Sequence, residues 1–207
     1  MLIKLLSAAD KHHLVALAKL MALADKPLLW DGQTPDEFTV NTNLNNLSIQ
    51  KGESEVEIIR ELERSAGDPP TISATVSSSM FTSMFSSSSG TSTVPSSVDV
   101  ESRLIDVLKS FPLIKIKRPE GRLQAALVVL KELPRDKKFE LPATPKVVLF
   151  ELLLIALRDG NISNIEWALL KEFQQHHQLD DFIFDDLLER AETLNREVNK
   201  TISIILE

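Results

Sequence analysis

The segment from Pro145 to Arg158 constrains the fold of this chain most strongly, because it is apolar on nearly every side of the helix that it predicts. Such a helix is stable only when other helices surround it, so the segment predicts a bundle with this helix at its centre. Pro145 is favoured in the first helical turn, and Asp159-Gly160 is a stop signal. The rest of the chain must therefore supply helices that cover the central one.

Apolar residues recur at helical spacing on both sides of this segment. They predict helices over about 7–24 and 53–66, and Gly67 ends the second of these. Further helices are predicted over about 99–110, 119–133, 163–177 and 180–200. Residues 111–119 are interpreted as an extended or irregular connector, and we find no convincing strand pattern. The sequence predicts an all-α bundle of about seven helices.

Residues 71–98 differ from both flanks in composition. They include twelve Ser and five Thr among 28 residues, and no charged residue lies between Asp68 and Asp99. Such a composition cannot bury enough apolar surface to offset the entropy cost of ordering the chain. Residues 71–98 are therefore predicted to be a disordered linker. The chain is thereby divided into N-terminal helices (1–70), the linker (71–98) and C-terminal helices (99–207). We expect both helical parts to form one domain.

The linker contains one apolar repeat. Met80-Phe81 and Met84-Phe85 recur at a spacing of four, which would align them on one helical face. One interpretation is a docking motif that folds on a protein partner, and the other is low-complexity sequence without a role. Both interpretations remain open at this point.

Composition excludes several kinds of function. The chain has no Cys, which rules out thiolate nucleophiles and Cys-based metal centres. It has no nucleophile-elbow motif and no glycine-rich phosphate loop, so we expect no enzyme activity. No segment is apolar over the roughly 20 residues that span a bilayer. Asp10, Lys11 and Lys19 interrupt the stretch that a signal peptide would need, so the expected location is the cytoplasm.

The net charge of −7 is unevenly distributed. Residues 159–207 carry eleven acids and four bases, whereas residues 109–146 carry ten bases and four acids. The acidic end argues against nucleic acid as the main partner. Two explanations of the basic residues within 109–146 remain open. They contact phosphate or an anionic lipid surface, or they lie in solvated loops or pair with the acidic end. These residues are Lys115, Lys117, Arg118 and Arg122, followed by Arg135, Lys137 and Lys138.

A helical-hairpin pattern occurs twice in the chain. Leu154–Asp159 aligns with Leu20–Asp25, and in each copy an apolar helix ends at a turn that contains Asp. A capping box then opens the next helix, at Ser163 and Glu166 in the second copy and within Thr34–Glu37 in the first. The similarity predicts a pseudo-repeat of two helical hairpins.

The second copy reads Asp159-Gly160-x-Ile162-Ser163-x-x-Glu166, ahead of an apolar-periodic helix and a long acidic one. In this it resembles the tellurite-resistance TerB-like family, most clearly over residues 145–207 and more faintly over 14–67. The resemblance implies a compact bundle of about seven helices in a bacterial cytosolic module that reaches membranes through partners. It also implies clustered acidic residues that bind divalent metal, and no demonstrated enzyme activity. The longer first turn and the Ser-rich insert depart from the family pattern.

Acidic and amide side chains at the two turns are the candidate metal ligands, because oxygen donors suit hard divalent cations. If the two hairpins pack face to face, their turns would combine these donors in one site. The candidates are Asp25, Asp31, Asp36, Glu37, Asp159, Asn161 and Glu166. Turn formation and helix capping would also explain the same residues without a metal.

The adjacent pairs His12-His13 and His176-His177 are interpreted as surface or helix-end residues. Neighbours on one helix diverge by about 100° and cannot chelate one ion together. The sequence does not show whether a histidine of one pair meets one of the other.

The function expected from these features is a non-enzymatic binding module in a bacterial metal or stress response, with a divalent cation held by the acidic turns. The alternative is a protein–protein adaptor or scaffold without metal, using the Met-Phe segment or a helix face. A third interpretation is a membrane-surface protein that uses the basic residues. A protein partner is expected, although the sequence does not identify it.

Overall fold

The computed structural model describes residues 2–67, 99–133, 139 and 141–206. Within these ranges the chain forms eight α-helices and one two-stranded sheet, which confirms the predicted all-α class. The helices are α1 (Ala8–Ala24), α2 (Glu53–Ala66), α3 (Val100–Lys109), α4 (Leu113–Ile116), α5 (Pro119–Glu132), α6 (Thr144–Ala156), α7 (Asn164–His176) and α8 (Asp181–Leu206). Short 3-10 turns lie at Ile3–Leu5, Pro35–Glu37 and Leu157–Asp159. The Ser-rich segment 71–98, and with it the predicted disorder, lies outside the described residues.

The central helix is α6, as its apolar sequence predicts. Val148, Leu149 and Leu153 on it are fully buried, and α1, α7 and α8 pack around it. Glu151, in the middle of α6, is also fully buried. Its carboxylate accepts a hydrogen bond from the backbone N–H of Leu2, which fixes the N-terminal 3-10 turn against α6.

The helices of the two predicted hairpins pack in pairs, α1 with α2 and α6 with α7. The pairs contact each other, because α1 packs against both α6 and α7. Local signals set the helix ends: the Ser7 hydroxyl accepts a hydrogen bond from the Asp10 N–H at 3.2 Å at the start of α1. Gly67 and Gly160 adopt positive φ angles of 89° and 86° at the ends of α2 and of the turn after α6. Only glycine adopts this conformation without strain.

The connection between α1 and α2 differs from the prediction. It contains two short antiparallel strands, β1 (Leu28–Trp30) and β2 (Leu47–Ile49). The sequence predicts no strand here, because three residues are too few to establish an alternating pattern. The capping box of Thr34 and Glu37 is present, but it caps a single 3-10 turn and not the start of a full helix.

The connector between α3 and α5 is also more regular than predicted. It contains the one-turn helix α4, which buries Ile116 in the core. α4 packs directly on α5 at Gly121, where an added Cβ would lie 2.0 Å from the backbone oxygen of Lys115. This close approach explains why a glycine lies inside a helix.

The last helix, α8, is longer than predicted and continues to Leu206. Within these additional turns the hydroxyl groups of Thr201 and Ser203 donate hydrogen bonds to carbonyls four residues earlier. Phe184 and Ala191 are fully buried, whereas the second half of the helix exposes most of its apolar side chains. Across the described ranges, no helix has both the length and the apolarity that a bilayer span requires.

We expect Gly121→Ala to lower the free energy of unfolding by about 1–3 kcal/mol, because the added methyl group must push α4 away from α5. Helix propensity alone would favour alanine over glycine by about 1 kcal/mol, so the two effects have opposite signs. Denaturant unfolding measures the difference. Glu120→Ala is the control, since Glu120 is exposed in the same turn. An unchanged or higher free energy of unfolding would contradict the close approach.

Candidate functional site

The turns that follow α1 and α6 lie side by side and border one pocket, which we call the turn pocket. Its volume is about 590 Å³, including the part open to solvent. Side chains of α1, α2 and α6 form the apolar wall. The polar wall consists of Asp25 and Lys26 from the first turn and of Arg158, Asp159, Asn161, Ser163 and Glu166 from the second. Both helix pairs therefore contribute to the pocket.

Four of the predicted ligands line the turn pocket, namely Asp25, Asp159, Asn161 and Glu166. The other three do not line it. Asp31 accepts a hydrogen bond from Asn46 Nδ2 at 3.0 Å beside the small sheet. Asp36 and Glu37 lie in the 3-10 turn, where Glu37 Oε2 accepts a hydrogen bond from the Thr34 N–H at 2.8 Å. The predicted docking residues Met80, Phe81, Met84 and Phe85 lie outside the described residues.

Asp25 is the C-cap of α1, and Arg122 of α5 holds this turn in place. Arg122 Nη1 donates hydrogen bonds to the carbonyl oxygens of Asp25 and Lys26, at 2.8 and 2.9 Å. Carbonyls at a helix C-terminus have no partner within the helix and require donors of this kind. The sequence places Arg122 among the basic residues expected to contact an anion or to lie in solvated loops. That interpretation is wrong for this side chain, which is half-buried and fixes the position of Asp25.

Glu166 belongs to the capping box that opens α7. Its Oε2 accepts a hydrogen bond from the Ser163 N–H at 2.8 Å, and its own N–H donates to Ser163 Oγ at 3.2 Å. Burial raises the pKa of Glu166, the hydrogen bonds from Ser163 act in the opposite direction, and the nearby carboxylate of Asp25 raises it further. A positive charge in the turn pocket would therefore favour the ionised form of Glu166.

Three carboxylates and two cationic side chains share the turn pocket. Lys26 Nζ lies 3.9 Å from Asp25 Oδ1, and Arg158 is the second cation. The potential ligands are all oxygen atoms, which suit Mg²⁺, Ca²⁺ or Mn²⁺. In the described part of the chain, however, no three His, Asp or Glu side chains converge closely enough to chelate an ion.

A second pocket brings together histidines of both pairs. His13 of α1 lines it with His176 and His177 at the end of α7. The Phe139 ring lies between them, with its centroid 5.7 Å from that of His13 and 4.9 Å from that of His177. Burial, and secondarily the charge of His176, lowers the pKa of His177 to about 4, so it is neutral at pH 7. The prediction of a surface or helix-end role is wrong for His13, which is only 6% exposed.

No protein-family model, curated protein or solved structure matches this chain.

We expect Glu166→Gln to remove a decline in stability that the wild type shows as the pH rises from about 4.5 through the raised pKa of Glu166. A carboxyl group with a raised pKa binds its proton more tightly in the folded state, so its stabilising contribution is present at low pH and is lost above that pKa. Glutamine keeps the capping hydrogen bonds but does not titrate. Urea unfolding at a series of pH values measures the difference between the two proteins.

The matched control is Glu37→Gln, at the same position of the other capping box. The hydrogen bonds from Thr34 lower the pKa of Glu37, so its stabilising contribution is lost as the pH falls. The difference between wild type and variant must therefore change with pH in the opposite direction. Equal signs for the two substitutions would contradict the described environment of Glu166.

Proposed function

We propose that this chain is a non-enzymatic, TerB-like helical binding module that holds a divalent cation in the turn pocket. One observation carries the proposal: Asp25, from the first helix pair, lines the same pocket as Asp159, Asn161 and Glu166 of the second. Action in the cytoplasm, in a bacterial metal or stress response, follows from the sequence resemblance and is part of the same proposal.

Helix electrostatics support a cation at this position. Asp25 is the residue after α1, and Asp159 ends the 3-10 turn after α6, so both carboxylates lie near the negative ends of helices. A carboxylate there is unfavourable unless positive charge lies nearby. Lys26 and Arg158 supply part of that charge. A divalent ion would supply more of that positive charge from a smaller volume, and it would oppose the rise in the pKa of Glu166.

Calorimetric titration with Mg²⁺, Ca²⁺, Mn²⁺ and Zn²⁺ tests the proposal. We expect the wild type to bind at least one of the oxygen-preferring ions, and Asp25→Asn and Asp159→Asn to bind it at least about tenfold more weakly. Asp36→Asn is the control, because Asp36 carries the same charge but does not line the turn pocket. At an ion concentration of about one hundred times Kd, the melting temperature should rise by about 5–10 °C.

Binding should also weaken as the pH falls, because protons compete with the ion for Glu166. Absence of heat and of thermal stabilisation with all four ions would rule out the cation site. Equal weakening by the Asp36→Asn control would show that net charge, and not the turn pocket, is responsible.

A second function, a protein–protein adaptor without metal, is favoured by the second half of α8. There, side chains at helical spacing are 45–75% exposed and form an apolar stripe of Leu194, Val198, Ile202 and Ile205. Helices that bind a protein groove present such a stripe. In this function the four ions leave the melting temperature unchanged. The double substitution Val198→Ser and Ile202→Ser then removes a co-purifying partner, while the free energy of unfolding stays within about 0.5 kcal/mol.

A further inference from the structure

Residues 111–118 form a basic segment with an exposed apolar tip. Its helix α4 is anchored in the core by Ile116, which is 4% exposed, whereas Ile114 on the same turn is 74% exposed. Lys115, Lys117 and Arg118 are all exposed around it. Ile114 and the three cations therefore present an apolar tip within a positively charged surface.

The cations of the basic segment have no acidic partner within the described ranges. Among the residues that the structure describes, no ion pair involves Lys115, Lys117 or Arg118. Lys115 Nζ lies 4.3 Å from the centroid of the Phe111 ring, and Lys117 Nζ lies 5.1 Å from that of Phe38. Contacts with a ring face hold an ammonium group in place but leave its N–H donors available to an anion.

The contact with Phe38 also brings a second apolar residue to this part of the surface. Phe38 follows the 3-10 turn at Pro35–Glu37, and the fully exposed Val40 lies two residues further on. The Lys117–Phe38 contact therefore places the loop that carries Val40 beside the basic segment. The close packing of Gly121 on the Lys115 carbonyl fixes α4 on α5, so the surface is formed before any ligand binds.

We propose that the basic segment binds the anionic surface of a lipid bilayer. Lys115, Lys117 and Arg118 contact the lipid phosphates, and Ile114 enters the boundary between head groups and acyl chains. Charge complementarity supports this partner, because cations near an anionic leaflet each contribute to binding. The apolar tip favours lipid over nucleic acid, whose backbone offers it no apolar environment. The surface is independent of the turn pocket.

Sedimentation of the full chain with vesicles tests the proposal. Vesicles of phosphatidylcholine alone are compared with vesicles that contain 30% phosphatidylglycerol, each at 50 and 300 mM NaCl. We expect binding to the anionic vesicles at low salt, and weaker binding at high salt because screening increases. The double substitution Lys115→Glu and Lys117→Glu should weaken binding at least about 25-fold, since each lysine contributes about fivefold.

Two matched controls separate this surface from general effects of charge and apolarity. Lys131→Glu with Lys200→Glu changes the net charge equally on other helices, and both side chains are exposed. Ile114→Ser should weaken binding to the anionic vesicles without changing the salt dependence of that binding. Ile205 is 75% exposed as well, but Ile205→Ser should leave the binding unchanged. Circular dichroism verifies folding, and Lys115→Gln with Lys117→Gln replaces the charge reversal if that variant is unfolded.

Three results would overturn the proposal. They are equal binding to neutral and anionic vesicles, absence of binding to the anionic vesicles at low salt, and equal weakening by the Lys131/Lys200 control. Tighter binding to a DNA duplex than to the anionic vesicles would assign the basic segment to nucleic acid instead.

Discussion

α6 has no polar face that could be turned towards water, so its burial requires helices on every side. α1, α7 and α8 provide that cover. Since α1 and α6 both end at the turn pocket, this apolar packing also brings Asp25 close to Asp159. Arg122 then fixes the first turn by bonding to its carbonyls. The polar site is thus a geometric result of covering one apolar helix.

Most of the fold could be predicted from local signals in the sequence. The hydroxyl cap at Ser7, the stop at Gly67 and the capping box at Ser163 act within one helical turn, so each can be read from a few residues. β1, β2 and α4 could not be predicted, because tertiary packing holds these short elements and their own patterns are too brief. α4, for example, depends on its contact with Gly121.

The site could be predicted only as far as the pseudo-repeat extends. Asp25 and Asp159 occupy equivalent positions in the two hairpins, so packing of one pair on the other places them together. Asp31 follows β1, and the second hairpin has no corresponding strand among its described residues. The two hairpins therefore stop being comparable before Asp31, which bonds to Asn46 instead of lining the turn pocket. His13 and His177 line one pocket because α1 packs against α7, a contact between distant segments that no local pattern encodes.

The packing of α1 against α6 also has a consequence for synthesis on the ribosome. The last residue of α1 precedes the first residue of α6, Thr144, by 120 positions. At typical translation rates, roughly 6–24 s pass between the emergence of the two helices. α2 can cover one face of α1 during this interval, but Leu14 and Leu17, which end up fully enclosed, must wait for later helices. The nascent N-terminal part therefore exposes apolar surface until the second half of the chain has been made.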